Sequence, residues 1–234
     1  MPARVARFVN VLGLELVGGI VVLTLGAWIF GLTVEELSEG DTHLDTRFAA
    51  WLHENATDGW TTFFENVTRL GNVPVLAAVT IVTAFVLARK RLTSELELLL
   101  LAAIGAEILT VGLKLGFERE RPFFPDPLAT ESTYSFPSGH ASVSLAVYGT
   151  IGYIAARHAA TRRRQIGTLV VAAALVLLIG FSRLYLGVHY LSEVIAGFSL
   201  GVAWVALCVV LLHLRLRLRT RRDQTSRYRA STKQ

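Results

Sequence analysis

Cysteine is almost absent from this chain of 234 residues, and the one present, Cys208, lies inside an apolar run. No disulfide framework can form within the chain, and nothing follows about redox compartment. Charge is also scarce. Charged residues make up 18% of the sequence, against 53% hydrophobic residues and a mean hydropathy of +0.50, which is too apolar for an ordinary soluble domain. No internal repeat and no low-complexity linker divides the chain, so it reads as one integral unit. Histidines and carboxylates never take a zinc-ligand spacing such as H-E-x-x-H, so no metal and no cofactor is predicted.

What is abundant is long apolar runs. Six stretches suit a bilayer, at roughly 8–31, 73–88, 93–117, 136–156, 166–186 and 190–213. A hydrocarbon core needs about 20 helical residues, although 73–88 is short and 93–117 carries Glu97 and Glu107. The first run is too long for a signal-peptide core and lacks a small-residue cleavage pattern, so it reads as a retained anchor. The predicted fold is all-α, an integral bundle of six transmembrane helices over residues 1–214, followed by a basic tail at 215–234. The end of that tail, from Asp223, is polar and expected to be disordered.

Basic residues orient the bundle. Arg4 and Arg7, Arg89 to Arg91, Arg157 with Arg162 to Arg164, and the arginines from Arg215 onward hold most of the 23 cations. With six spans all of these fall on one side, which the positive-inside rule makes cytoplasmic. Both termini are then cytoplasmic and the opposite face is extracytoplasmic. The net charge of +5 resides mostly in the tail, against anionic headgroups, and calls for no nucleic acid.

The long connection 32–72 is acidic and contains two short amphipathic patterns. One runs through Leu44, Phe48, Trp51 and Leu52, the other through Trp60, Phe63, Phe64 and Val67. Asp41 or Thr42, and Asp58, suit N-caps. These predict two short helices on the membrane surface, with a lid over a lipid entrance as the functional alternative. Asn55 and Asn66 begin glycosylation sequons, which a bacterial chain would leave unmodified. Glu15 and Glu107 fall inside predicted spans, where ionisable groups are costly. Glu15 lies near the inner end of its span, where it can snorkel. Glu107 lies two helical turns before Lys114 and either supports a site's charge balance or faces the bundle interior.

Three clusters carry chemistry. Lys114 precedes Arg121-Pro122 by six intervening residues. Phe136-Pro137-Ser138-Gly139-His140-Ala141-Ser142 opens an apolar run. Ser182-Arg183 is followed by His189, with Glu193 four residues further on. Ser138 suits an N-cap, and a helix N-terminus with free N–H groups attracts anions. Lys114, Arg121 and Arg183 bring cations from three segments, and guanidinium forks match phosphate oxygens. Pro122 keeps Arg121 out of a helix. Two imidazoles can act as nucleophile or as acid–base group near neutral pH. Glu193, one helical turn beyond His189, can accept that ring's other N–H. His43, His53, His158 and His213 match no pattern and read as surface or interfacial residues.

In order and spacing these clusters resemble the three-part signature of the type 2 phosphatidic acid phosphatase family, lipid-phosphatase relatives of vanadium haloperoxidases. The likeness runs from Lys114 to Glu193. One position departs, since the family usually has Asp where this chain has Glu193. The resemblance implies His189 as nucleophile, forming a phosphohistidine, and His140 as acid and then base. It also implies phosphate binding by Lys114, Arg121, Ser138, Gly139 and Arg183. The implied substrate is a lipid phosphate or diphosphate of the phosphatidic acid, phosphatidylglycerophosphate or undecaprenyl diphosphate class, with Phe123 and Phe124 placed to meet its chains. Two alternatives stand beside this: a non-enzymatic lipid-phosphate binding or transport protein with a decayed site, and a phosphotransferase to a lipid or sugar acceptor.

Overall fold

The computed structural model describes the backbone of residues 3–39 and 42–231, and side chains of residues 16–38 and 42–218. Every regular element among them is helical: α1 (Ala3–Glu39), α2 (His43–Glu54), α3 (Asp58–Arg69), α4 (Val73–Arg89), α5 (Thr93–Phe117), α6 (Gly139–Ser144), α7 (Thr150–His158), α8 (Arg162–Tyr185) and α9 (Leu191–Ser231). A π-helical turn, Leu145–Gly149, joins α6 to α7, so residues 139–158 form one helical stretch with a widened turn in its middle.

Four segments are long and apolar enough to cross a membrane: Leu16–Ser38, Thr93–Phe117, Arg162–Tyr185 and Leu191–Leu218. A fifth arises if α3 and α4, which meet at a 46° bend, count as one. The expected six spans are therefore not established by length and composition. The predicted second span is α4 alone, 17 residues and too short by that measure. The predicted fourth is split by the π turn, and its first residues, 136–138, belong to the preceding loop. α2 and α3 fill the segment where two short amphipathic helices were expected. Thr42 takes the N-cap position of α2 but its side chain makes no capping bond, and Asp58 is the first residue of α3 rather than its cap. The tail expected to be disordered instead continues α9 to Ser231. No glycine or proline follows Gly201 before that point, and Leu and Arg are strong helix formers, so nothing local stops the helix. Glu15, Asp41, Arg4, Arg7 and the basic residues from Arg219 onward lie outside the described side chains.

α1 packs along α9, while α5, α6 and α8 surround the first half of α9. Buried Leu76, Ala103, Ala106, Val143 and Val147 join α4, α5 and the α6–α7 stretch in one apolar cluster. A second cluster ties α2 and α3 to the end of α8 through Leu52, Phe64, Leu184 and Tyr185. Successive long helices run in opposite directions, so connections 70–72, 118–138 and 186–190 meet at one end. The opposite end is marked by the pairs His158–Glu95 at 3.5 Å and Arg215–Glu97. His213 also sits toward that end, but fully buried with Arg157 3.3 Å away, not at the surface as expected.

Close backbone approach sets where α9 passes the site. A Cβ built at Gly197 would lie 2.5 Å from the Ser138 carbonyl oxygen and 2.9 Å from the Ala141 Cβ. Small residues permit this contact between helices in a membrane. Gly197→Ala forces α9 away from the Ser138 turn, with a cost typical of an overpacked core, about 1–3 kcal/mol. A lowered unfolding temperature of the detergent-purified protein checks this; an unchanged midpoint contradicts it.

Candidate active site

The end of α8 delivers His189. Leu186 caps the helix and Gly187 follows at φ +68°. The Val188 N–H donates to the Arg183 carbonyl (3.2 Å) and the Gly187 N–H to that of Leu184 (3.0 Å), the paired bonds of a Schellman cap. The left-handed residue is glycine because a Cβ is penalised there. The chain then turns through His189 and enters α9 at Leu191.

Glu193 is the third residue of α9 and wholly buried. Its Oε2 accepts the Tyr190 N–H at 3.0 Å, the reach-back of a capping box, for which a glutamate is the right length. The same oxygen lies 2.8 Å from His189 Nδ1 and accepts the Ser135 hydroxyl. Glu in place of the family's Asp therefore still reaches the ring. Arg121 Nη1 lies 3.2 Å from His189 Nε2, and a guanidinium only donates. Nε2 must then carry the lone pair and Nδ1 the proton, which Glu193 accepts. Burial, and after it the surrounding Arg121, Arg183, Lys114 and Arg119, hold the His189 pKa well below the usual histidine value, so the ring is neutral near pH 7.

Six of the eight predicted residues share a cavity, while Ser138 and Glu193 are buried behind it. Lys114, Arg121, Gly139, His140, Arg183 and His189 all line one cavity of about 220 Å³. Each cation rests on protein acceptors. Lys114 donates to the Tyr134 carbonyl. Arg121 donates to the carbonyls of Thr133 and Val188, both at 2.7 Å. Arg183, 3% exposed, binds Thr68 Oγ1 at 2.8 Å and the Glu131 carboxylate. His140 Nε2 lies 2.9 Å from Asn72 Oδ1. Ser138 holds the N-cap position of α6 with no side-chain capping bond; its Oγ is buried and has no hydrogen-bond partner among the described residues, while its N–H donates to the Glu193 carbonyl. Phe123 is exposed, and Phe124 stacks on His53 at 4.1 Å between centroids.

Five participants were not foreseen. Asn72 positions His140, Ser135 supports Glu193, and Glu131 pairs with Arg183. Arg119 joins two acids: Nη2 is 3.0 Å from Asp45 Oδ2, and Nε is 3.3 Å from Glu193 Oε1. Asp45, from α2, also accepts the Ser192 N–H at 2.9 Å, capping α9 from outside. Only Asn72 left a local trace, as an N-cap ahead of Pro74.

Three cations and two imidazoles facing one cavity, at an end of an all-helical bundle with membrane-length helices, make an anion site beside apolar surface. The chain belongs to the PAP2 superfamily, which residues 95–217 match. Phosphatidylglycerophosphatase B of Bacillus subtilis is 40% identical over 107 residues, covering 45% of this chain and 52% of that protein, so the match spans about half the relative's length. The crystal structure of a transmembrane PAP2-type phosphatidylglycerolphosphate phosphatase from Bacillus subtilis superposes with a TM-score of 0.72 at 27% identity. That superposition covers 85% of this chain and 96% of the other. Aquifex aeolicus LpxE shares the fold, with a TM-score of 0.57 at 22% identity over 74% of this chain and 96% of its own.

Asp45→Ala leaves Arg119 with Glu193 as its one carboxylate among the described residues and the Ser192 N–H without its acceptor. Breaking one side of a buried ion pair costs about 3–5 kcal/mol. Thermal unfolding in detergent should show a large drop, with Asp45→Asn intermediate because it keeps the acceptor; a wild-type midpoint for Asp45→Ala contradicts the arrangement.

Proposed function

We propose that this protein is a metal-independent lipid phosphatase that hydrolyses a phosphate monoester or diphosphate of a lipid through a phosphohistidine on His189. The observation that carries this reading is the His189 ring, with its Nδ1 proton held by Glu193 and its Nε2 lone pair facing the cation-lined cavity. Nε2 attacks phosphorus, and the bond from phosphorus to the leaving oxygen breaks, the lipid alcohol oxygen in a monoester or the bridging oxygen in a diphosphate. His140, taking up a proton as the bound phosphate offsets the surrounding cations, gives it to the departing oxygen, then takes one from the water that cleaves the P–N bond and releases phosphate. Lys114, Arg121 and Arg183 neutralise phosphoryl charge throughout, and the Gly139 and His140 N–H groups at the start of α6 add fixed donors. Glu193 balances the cationic ring of the phosphorylated intermediate. Contacts made by Glu193 argue against the decayed-site alternative, which had only the Asp-to-Glu departure in its favour.

An apolar groove of about 360 Å³ between α4 and α5 shares Val73, Leu76, Glu107 and Val143 with the phosphate cavity, which suits a substrate whose chains stay in the bilayer. The topology we propose has six spans, counting α4 and the α6–α7 stretch. Both termini are cytoplasmic and the site is extracytoplasmic, with α2 and α3 at the membrane surface. The clustering of Arg89–Arg91, Arg157 and Arg215 at the end opposite the site supports that orientation.

Phosphate release by detergent-solubilised protein from a panel of phosphatidic acid, phosphatidylglycerophosphate and prenyl diphosphate tests the reading. His189→Ala should abolish turnover, chelators should leave it intact and vanadate should inhibit. Dependence on an added divalent ion contradicts the mechanism. Because the His189 pKa is depressed, the unreactive protonated ring appears only well below pH 6.5. Single-turnover phosphoryl transfer should show no acid limb near pH 6.5; a midpoint there would place His189 in a water-like environment.

A further inference from the structure

Among the described residues, Glu107 is the one charged side chain lining the groove between α4 and α5, whose other walls include Leu76, Ile81, Ile104, Ile108 and Val147. It also lines the phosphate cavity, so it stands at the neck between the two. It is half-buried and makes no hydrogen bond or ion pair with the described residues. An ionisable group at membrane depth is costly and persists where it meets a cavity or a ligand. Glu107 precedes Lys114 by seven residues on one helix, which puts the two on the same face about 10 Å apart along the axis. A phosphoryl group beside Lys114 with its chains in the groove would have its connecting atoms in this interval.

We propose that Glu107 is a specificity-determining residue that selects the leaving group, favouring a phosphate monoester whose polar backbone carries a free hydroxyl and disfavouring a diphosphate. This rests on the phosphatase reading above. An ionised carboxylate has only acceptor oxygens, so it takes a hydrogen bond from a hydroxyl lying between phosphorus and chains. A diphosphate places its second phosphate, an anion, at the same point, where the apolar walls leave the repulsion poorly screened. A site that engages a substrate hydroxyl discriminates strongly against the analogue lacking it. With Glu107 half-buried, the discrimination is about ten- to a hundred-fold.

The test uses the full-length protein in detergent with free phosphate as readout. The substrates are a monoacylglycerol phosphate with its middle hydroxyl free, the same lipid lacking that hydroxyl, and a prenyl diphosphate of similar chain length. Wild type should prefer the hydroxyl-bearing lipid over its deoxy analogue at least about ten-fold in kcat/KM. Glu107→Ala should bring that ratio near one. Glu107→Gln, which keeps the shape and loses the charge, should raise the diphosphate at least about ten-fold relative to the monoester. Equal ratios in wild type and both variants overturn the proposal. If neither variant folds, the wild-type preference decides, since a deoxy ratio near one also overturns it. Failure of wild type on all three substrates rejects the phosphatase reading itself.

Discussion

A fully buried carboxylate, that of Glu193, is the constraint on which the rest of the site depends. A charge with no water must be met by donors and by an opposite charge, or it is severely destabilising. His189, Tyr190 and Ser135 converge on one oxygen, and Arg119 stands beside the other. They come from three parts of the chain: His189 from the turn after α8, Tyr190 from the start of α9, and Ser135 and Arg119 from the loop 118–138. Asp45 extends the network to α2. The loop, α2 and two long helices are thus tied to one group, and that group accepts the His189 Nδ1 proton. Local structure and chemistry share the same hydrogen bonds.

Charge arrangement around the cavity follows a related logic. Lys114, Arg121 and Arg183 repel one another and are each held by carbonyls, hydroxyls or Glu131. Acceptors already in place keep the cations from collapsing toward solvent or toward Glu193. On the proposed reading, a phosphate entering the cavity meets donors with little reorganisation left to make, the condition under which fixed charges contribute most to a transition state.

Much of this was legible in the sequence. The eight proposed site residues came from the resemblance, with local signals beside it in the helix start at Ser138, the proline after Arg121 and the four-residue spacing from His189 to Glu193. The long helices were equally visible as apolar runs. Span number was less so: α4 is short, its neighbour α3 is amphipathic, and the π turn inside 139–158 has no compositional mark. Their partners were illegible for a different reason. Ser135 and Glu193 are 58 residues apart, His140 and Asn72 are 68 apart, and Ser192 and Asp45 are 147 apart. No periodicity encodes such pairings, which exist only once the bundle closes. Arg119, close to Arg121 in sequence, was lost among surface-like charges because its role needs both Asp45 and Glu193 beside it. The burial of His213 was missed likewise, since only its neighbours on other helices reveal it.

The central claim is that phosphorus passes through His189, and the Nδ1 contact with Glu193 adds that the attacking atom is Nε2. Rapid denaturation of the enzyme during turnover of a phosphate-labelled lipid, followed by peptide mass spectrometry under alkaline conditions, examines both points at once. The account predicts an acid-labile, alkali-stable phosphate on the peptide containing His189, attached at Nε2 and absent from His189→Ala. Turnover with label on a serine, on His140 or on no residue would contradict it.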